Sequence, residues 1–200
     1  MDAEDRALVE AFKGGEESAF TALVIKYREA VYRIARRMLR SHEDASDVTQ
    51  EVFIRVHRSL PRFEARSSLK TWLYRITVNL CLDRSARGSR FVLSGLRELE
   101  WEPSSEQDPA VTAVDKELGR VIQAAVDELP PRQRAMMQLR LYQDLPYADI
   151  ARIMGCAEGT VKATMFAGMA KLRKALAPYV GEITGSRDRG NAGSRQNDRP

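Results

Sequence analysis

Residues 147–176, YADIARIMGCAEGTVKATMFAGMAKLRKAL, have the pattern of two helices separated by a short turn. The segment from Tyr147 to Met154 predicts a short amphipathic helix, and Gly155 suits a turn that needs a positive φ. From Glu158 onward, apolar residues recur with the spacing of one helical face: Val161, Met165, Met169, Leu172 and Leu176. Two helices joined by about three residues form a helix-turn-helix, whose second helix enters the major groove of DNA. An ordinary helical hairpin in an all-α bundle is the alternative.

The charges of the chain are segregated along its length. The 200 residues carry a formal net charge of +4. Residues 18–90 contain 15 basic and 7 acidic side chains, and residues 128–180 contain 8 and 4. The segment 91–109 between them contains 1 basic and 5 acidic side chains. Two basic blocks on either side of an acidic connector indicate two contacts with a polyanion, although solvated helix faces are the alternative.

Several classes of protein have no support in the sequence. No apolar run is long enough to span a membrane and the N-terminus is acidic, so we expect a cytoplasmic protein without membrane insertion. Cys81 and Cys156 lie in apolar helical patterns, and we expect reduced thiols. Neither these cysteines nor the histidines have metal-ligand spacing, so no metal site and no cofactor is predicted. The sequence contains neither a phosphate-binding loop nor a catalytic triad, so no motif supports an enzymatic function.

Periodic and irregular segments divide the chain into two domains. The first domain, residues 1–90, contains four predicted helices, at 3–13, 16–39, 43–60 and 69–87. Residues 91–109 belong to a stretch with glycine, proline, serine and scattered acids that is too long for a loop inside a compact domain. A second helical domain is predicted at 110–180, followed by a disordered tail at 181–200. The expected fold is therefore all-α, with two small helical domains joined by a flexible linker.

The third and fourth predicted helices carry different surfaces. The outer side of the third is polar and mostly acidic, as a solvated face would also be: Asp47, Gln50 and Glu51. The fourth combines cations, hydrogen-bonding groups and aromatic rings. Single-stranded nucleic acid binds to such a mixture, because its bases stack on aromatic rings and cations neutralise its phosphates. Taken alone, Trp72 and Tyr74 fit a helical core equally well.

Three segments together resemble the bacterial RNA polymerase sigma factors of the extracytoplasmic-function (ECF) group. DVTQEVFIRVHRSL at 47–60 is similar to the segment that binds the polymerase clamp. FEARSSLKTWLYRITVNLCLDR at 63–84 is similar to the segment that recognises and melts the −10 element. LPPRQRAMMQLRLYQDLPYADIARIMGCAEGTVK at 129–162 is similar to the domain that recognises the −35 element. The order of the three segments and the linker between them make this resemblance specific.

The resemblance implies a function without catalysis. The first domain corresponds to sigma region 2 and the second to sigma region 4. The protein would bind core RNA polymerase through the β′ clamp helices and the β flap, and would direct initiation at chosen promoters, in a stress or envelope regulon. Its other partners would be promoter DNA and an anti-sigma factor. Binding of bases flipped out of the duplex, without nucleotide hydrolysis, would drive promoter opening.

The resemblance also assigns residues to three surfaces. The polymerase-binding surface comprises Asp47, Thr49, Gln50, Glu51 and Phe53. The −10 surface comprises Phe63, Ser67, Ser68, Lys70, Thr71, Arg75, Asn79 and Arg84. The −35 surface comprises Thr160, Lys162, Thr164 and Phe166.

The second domain departs from the family pattern. Arginines are usual in the family at three positions of the second helix of the motif: Thr164, Ala167 and Met169. We therefore expect a −35 interaction that is weaker or differently specified. Pro146 replaces a usual serine cap, so we expect the first helix of the motif to begin at Asp144 or Leu145. Gly168 replaces a usual alanine, at a cost of about 1 kcal/mol in helix propensity.

Two other functions remain open from the sequence. A sigma-like decoy would bind a regulator through its second domain instead of DNA, and methionines could supply an adaptable surface for it. An ordinary helix-turn-helix regulator would bind DNA without polymerase. The block at 47–84 argues against the regulator, because a helix-turn-helix protein has no need of a polymerase-docking segment.

Overall fold

The computed structural model of the chain describes residues 1–89 and 113–187, and every regular element in these two ranges is a helix. The all-α fold class is therefore confirmed. The first range contains α1 (Ala3–Lys13), α2 (Glu17–Leu39), α3 (His42–Ser59) and α4 (Leu69–Ser89), with a 3-10 turn at Leu60–Arg62. The second range contains α5 (Ala113–Asp127), α6 (Pro131–Gln143), α7 (Tyr147–Met154) and α8 (Glu158–Arg187).

The C-terminal end of α8 differs from the sequence prediction. The helix continues through Arg187, so residues 181–187 are helical instead of irregular. An existing helix extends without a new nucleation step, and this favours helix even in a segment of weak periodicity. The predicted linker at 91–109 and residues 188–200 of the predicted tail lie outside the described residues.

The first half has a core between α2, α3 and α4. Ser41 begins α3 as predicted, since its Oγ accepts a hydrogen bond from the Asp44 amide at 3.1 Å. The core side chains are mostly aliphatic: Val31, Ala35, Val52, Val56, Leu73 and Val78. A buried carboxylate attaches α1 to this core. Asp5 accepts hydrogen bonds from the Tyr27 hydroxyl (2.7 Å) and from Lys26 Nζ (2.8 Å), and the hydrogen bonds that Lys26 donates to Asp5 and Glu4 raise the pKa of the lysine.

In the second half, α7 and α8 form the predicted helix-turn-helix. Gly155 ends α7 at a φ of 61°, which is the left-handed conformation that glycine adopts without strain. Both helices bury aliphatic side chains at their crossing, including Ile150, Ile153 and Val161. Ala151 is also buried there, as expected for a position where only a small side chain lets two helices approach.

The start of α7 corrects one expectation. The helix begins directly after Pro146, which occupies the N-cap position. The Pro146 carbonyl accepts hydrogen bonds from the amides of Asp149 (3.0 Å) and Ile150 (3.1 Å). The predicted start at Asp144 or Leu145 is wrong, because Asp144 ends α6 in the left-handed conformation, with a φ of 46°. A residue in that conformation cannot be the first residue of a right-handed helix.

The two halves pack against each other, with α4 against α6 and α7, and α2 against α6. Three polar contacts cross this interface: Gln138 Nε2 to the Arg37 carbonyl (3.1 Å), the Tyr74 hydroxyl to Gln143 Oε1 (3.3 Å), and an ion pair between Arg40 and Asp127. The Arg37 guanidinium lies 3.7 Å from the centroid of the Tyr142 ring, and burial lowers its pKa. We call this contact region the interdomain interface.

Two other sequence expectations concern cysteines and membranes. Cys81 and Cys156 are both unpaired thiols; Cys81 is buried, and its burial raises the pKa of the thiol to about 12. Cys156 is half-buried. Among the helices that the structure describes, none has the length and hydropathy needed to cross a bilayer.

Candidate nucleic-acid interface

The loop that precedes α4 is anchored by aromatic packing. The Phe63 ring is buried and lies 4.8 Å from the Trp72 ring, measured between centroids. The Phe63 carbonyl accepts a hydrogen bond from Lys13 Nζ at 2.9 Å. Phe63 thus helps to fix the shape of the loop, and its ring is not available as an open stacking platform.

The hydroxyl groups at the start of α4 bond to one another. Ser68 Oγ accepts a hydrogen bond from the Thr71 amide at 3.1 Å and lies 2.8 Å from Thr71 Oγ1, so Ser68 is the N-cap of α4. Ser67 Oγ donates to the Ser68 carbonyl at 3.3 Å. Thr71 is buried, whereas both serines are half-buried. The two serines therefore remain accessible at the entrance to α4.

The exposed stripe of α4 consists of residues spaced by four, Arg75, Asn79 and Asp83. Trp72 and Ile76 are half-buried along its edge. The stripe combines a cation, an amide and an aromatic edge, which suits contacts to phosphates and bases. The predicted residues Arg75 and Asn79 lie on this stripe. Lys70 does not, since its Nζ lies 5.6 Å from the centroid of the buried Tyr74 ring.

Arg84 links two surfaces that the sequence treated separately. Its guanidinium contacts Asp44 Oδ1 at 2.7 Å and Asp47 Oδ2 at 3.1 Å, and the hydrogen bonds to Asp44 and Asp47 raise the pKa of Arg84. Arg84 was assigned to the −10 surface and Asp47 to the polymerase-binding surface. The structure brings them together as an exposed ion pair between α3 and α4.

An open groove of about 1000 Å³ lies between α2 and α3, and we call it the α2–α3 groove. Of the predicted polymerase-binding residues, Thr49, Gln50 and Phe53 line it, whereas Asp47 and Glu51 lie outside its lining. Thr49 is buried and donates its hydroxyl to the Ala45 carbonyl at 2.7 Å. The remaining lining is partly apolar and aromatic: Phe20, Val24, Tyr32 and Ile54.

Sequence reasoning missed the apolar character of this groove. It treated the surface of α3 as acidic and polar. Ile54 is 45% exposed although it directly follows Val52 and Phe53, which are both buried. Part of the signal was present, because each further residue of a helix points about 100° away from the one before and Ile54 therefore turns away from the face of Val52. Glu51 forms an ion pair with Arg55 at 2.7 Å instead of lining the groove.

The predicted −35 residues separate into an exposed and a buried group. Thr160, Lys162 and Phe166 are exposed on α8, with Phe166 at 82%. Thr164 is only 9% exposed and lies on the buried side of the helix. Lys162 Nζ contacts Glu158 Oε1 at 2.8 Å, one turn earlier, and this hydrogen bond raises the pKa of the lysine.

The buried face of α8 differs from the predicted one at two positions. Met169 was expected to face the core, but it is 45% exposed. Gly168 takes the buried position instead, in close approach to α6, because a Cβ atom at residue 168 would lie 2.5 Å from Met137 Sδ. Met137 is fully buried. The glycine that costs helix propensity therefore permits the close packing of α8 on α6.

No group of histidine, cysteine, aspartate and glutamate side chains suited to hold a metal ion occurs among the residues that the structure describes. The candidate interfaces are thus built from hydrogen-bonding, cationic and apolar side chains. They comprise the α2–α3 groove, the α4 stripe with its preceding loop, and the exposed face of α8.

Two family models match the chain in the order that the sequence predicted. The sigma-70 region 2 model matches residues 23–91, and the sigma-70 region 4 model matches residues 119–172. The first match contains α3, α4 and most of α2. The second contains the helix-turn-helix as far as Leu172 of α8.

Similar curated proteins include the ECF RNA polymerase sigma factor SigE of Mycolicibacterium smegmatis, which is 36% identical over 176 residues, a match covering 86% of this chain and 68% of SigE. The RNA polymerase sigma-H factor of Pseudomonas aeruginosa is 32% identical over 188 residues, covering 90% of this chain and 97% of that protein. Both matches extend through the two halves of the chain.

Two solved structures share the fold. CnrH, solved in complex with the cytosolic domain of CnrY, has a TM-score of 0.64 at 23% identity and covers 88% of this chain and 98% of its own. The sigma factor RpoE, solved with the anti-sigma factor NepR from Bartonella quintana, has a TM-score of 0.63 at 22% identity and covers 79% and 96%.

Proposed function

Since the chain belongs to the ECF RNA polymerase sigma factors, we infer that it binds core RNA polymerase and directs promoter-specific transcription initiation. The observation that carries this role is the pair of distinct surfaces on the first half. The α2–α3 groove and the α4 stripe lie on different helices of one core, so that polymerase and DNA can be bound at the same time.

The α2–α3 groove is the proposed docking site for the β′ clamp helices. Thr49, Gln50 and Phe53 line it, and Ile54 adds an exposed apolar side chain. The apolar part of such a groove accepts the nonpolar face of a helix. Charged side chains also line it, namely Arg28, Glu29 and Arg58, and would orient a partner and raise its rate of encounter more than its affinity. Asp47 and Glu51 lie outside the groove and are paired with Arg84 and Arg55.

The −10 element is proposed to bind along α4 and its preceding loop. Arg75 and Asn79 offer a cation and an amide to the phosphates and bases of the melted strand. Ser67 and Ser68 offer hydroxyl groups at the entrance to the helix. Flipping a base out of the duplex costs a few kcal/mol, and the contacts of that base with the loop and with the start of α4 must offset this cost. Phe63 and Thr71 act indirectly in this proposal, because they hold the loop and the helix start in place.

The second half is proposed to position the first along the promoter. Thr160, Lys162 and Phe166 are exposed on α8, and the second helix of a helix-turn-helix reads duplex DNA in the major groove. Contact of this half with the β flap of polymerase would hold the −35 site at a fixed distance from the −10 site. No step in this mechanism breaks a covalent bond, so the role is binding and not catalysis.

Regulation by an anti-sigma factor is part of the proposed function. Two fold neighbours, CnrH and RpoE, were solved in complex with CnrY and with the anti-sigma factor NepR. The corresponding role for this chain is control of a stress or envelope response by sequestration. The protein would act in the bacterial cytoplasm, where polymerase and promoter DNA are found.

Run-off transcription with core RNA polymerase over a promoter library tests the function. A sigma factor gives transcripts that start at one class of promoter and depend on added chain. A decoy that binds only a regulator gives no promoter-specific transcript, and a DNA-binding regulator fails to bind core polymerase. Either result would contradict the proposed function.

A further inference from the structure

The side of α8 that faces solvent is polar in its first turn, at Glu158, Thr160 and Lys162, and becomes apolar over the next two turns. Ala163, Phe166, Ala167 and Ala170 are all exposed, and Met169 lies beside them. The Phe166 ring is 82% exposed, the highest value among the large apolar side chains of the described residues. Exposing so large an aromatic ring is unfavourable unless a partner covers it.

The orientation of Phe166 is fixed by packing on the opposite side of the helix. Val161, Met165 and Leu172 are buried there. A Cβ atom at Gly168 would lie 2.5 Å from Met137 Sδ, so a larger residue there requires the buried Met137 side chain to move. Rotation of α8 about its axis would break these contacts, and Phe166 therefore stays on the outer face.

Cations lie beside and beyond this apolar face. Lys162 is in contact with Glu158, which neutralises much of its charge. Lys171, Arg173 and Lys174 are exposed one to two turns after Phe166. In a helix-turn-helix the N-terminal part of the second helix meets the base edges, and later cations suit the phosphates. Between Lys162 and Lys171, all the exposed side chains of α8 are apolar, so this stretch offers carbon atoms to any base edge that it reaches.

We propose that Phe166, flanked by Met169, reads thymine in the −35 element through the 5-methyl group. This inference rests on the proposed function. Thymine is the base that presents a methyl group in the major groove, and apolar side chains contact it there. Contact between the apolar face of α8 and thymine methyl groups would take the place of the hydrogen bonds that arginine makes with guanine in the major groove.

DNA fits this face better than a second protein does. The side chains around Phe166 are mostly alanines, which form no pocket and add little apolar area for a protein interface. Short side chains also let the helix backbone come close to the base edges. The nearby lysines and arginine are complementary to phosphates and would repel a basic partner.

The test uses the full chain bound to core RNA polymerase. A duplex library randomised at the −35 element first identifies the bound sequence. Each thymine in that sequence is then replaced by uracil, which removes only the 5-methyl group. At one or two positions, uracil should weaken holoenzyme binding about fourfold, the factor expected for burial of one methyl group. The slope of log affinity against log salt should stay the same, because no phosphate contact changes.

Phe166→Ala provides the decisive variant, and the exposure of the ring makes misfolding no concern. It should weaken binding to thymine DNA about as much as uracil does, and should bind thymine and uracil DNA equally. Lys162→Ala is the matched control, because it should weaken both DNAs by the same factor and lower the salt slope.

Three results would overturn the inference: a selected element without thymine, equal binding of thymine and uracil DNA by the wild type, or an unchanged thymine preference in Phe166→Ala. A partner protein on this face would produce the second result. Absence of promoter-specific transcripts would instead refute the proposed function, and the inference with it. Transcripts that are insensitive to uracil would refute the inference alone.

Discussion

The helices α4 and α8 both face DNA in the proposed function, but they present different chemistry to solvent. The outer stripe of α4 contains Arg75 and Asn79, which carry charge and hydrogen-bonding groups. The outer face of α8 contains Phe166 among alanines, and its first cation, Lys162, is in contact with Glu158. The difference indicates that the outer stripe of α4 offers polar contacts, whereas the face of α8 around Phe166 contributes shape and apolar contact and leaves phosphate contacts to the later cations of that helix.

In the proposed function, polymerase binds to the α2–α3 groove of the first half. Ile54→Asp is the strongest test of that proposal. A charge in the α2–α3 groove should weaken binding of core RNA polymerase about 30-fold, the effect of losing about 2 kcal/mol at an interface. Ile25→Asp is the matched control, because Ile25 is 75% exposed on α2 outside the groove and should bind normally. Titration of labelled chain with core enzyme measures both. Equal losses would place the docking site elsewhere.

Arg75→Ala and Lys162→Ala compare the electrostatic contributions of α4 and α8 directly. Arg75→Ala should weaken promoter binding by the holoenzyme about tenfold and reduce the salt slope by about 1. Lys162→Ala should cost about twofold, because Glu158 already neutralises much of that charge. Binding measured from low to physiological salt gives both quantities. If the two variants lost affinity equally, the distinction between α4 and α8 would not hold.

Gly168→Ala tests whether packing fixes the face that α8 presents. Alanine gains helix propensity, but its Cβ atom meets the buried Met137 side chain, so the free energy of unfolding should fall by about 1 kcal/mol. Gly159→Ala, with no atom within 4 Å of the added Cβ, should instead raise it by up to about 1 kcal/mol. Urea unfolding measures both. Stabilisation by Gly168→Ala would mean that α8 can shift on α6.

Ala167→Arg sharpens the comparison by placing a cation on the apolar face of α8 beside Phe166. Ala167 is exposed, so the arginine can reach a phosphate without disturbing the core. Promoter binding should tighten about threefold and the salt slope should increase by about 1. Ala163→Gln adds length on the same exposed face without charge and serves as the control. An unchanged salt slope in Ala167→Arg would show that this face does not meet the DNA backbone.

Local patterns predicted the helices well, because caps and periodicity depend on neighbours along the chain. Ser41 caps α3, and Gly155 adopts the positive φ that the turn of the helix-turn-helix requires. The amphipathic pattern likewise gave the bounds of α7, Tyr147–Met154, and only the argument from the missing serine cap at Pro146 misplaced its start. That argument could not take account of the left-handed conformation of Asp144, which ends the preceding helix.

Contacts between distant segments were beyond the reach of periodicity. Gly168 takes the buried position expected of Met169, in close approach to Met137 on another helix. Ile54 lines a groove whose other wall is formed by α2, from Phe20 to Tyr32. Such features depend on side chains far apart in sequence, and a one-dimensional pattern contains no information about their distance.

The interdomain interface lowers the apparent affinity of any partner that binds the two halves in a separated arrangement. Such a partner competes with the packing of the two halves on each other, which we call closure. Its apparent dissociation constant is the intrinsic constant divided by the fraction of molecules in which the two halves are apart. Each increment of about 1.4 kcal/mol in favour of closure weakens apparent affinity tenfold. Asp127 Oδ2 and Gln138 Oε1 are buried at this interface without a hydrogen-bond partner among the described residues, which limits how strongly closure is favoured. If polymerase binds the two halves apart, this equilibrium raises the concentration of polymerase that is needed before either DNA-facing helix is used.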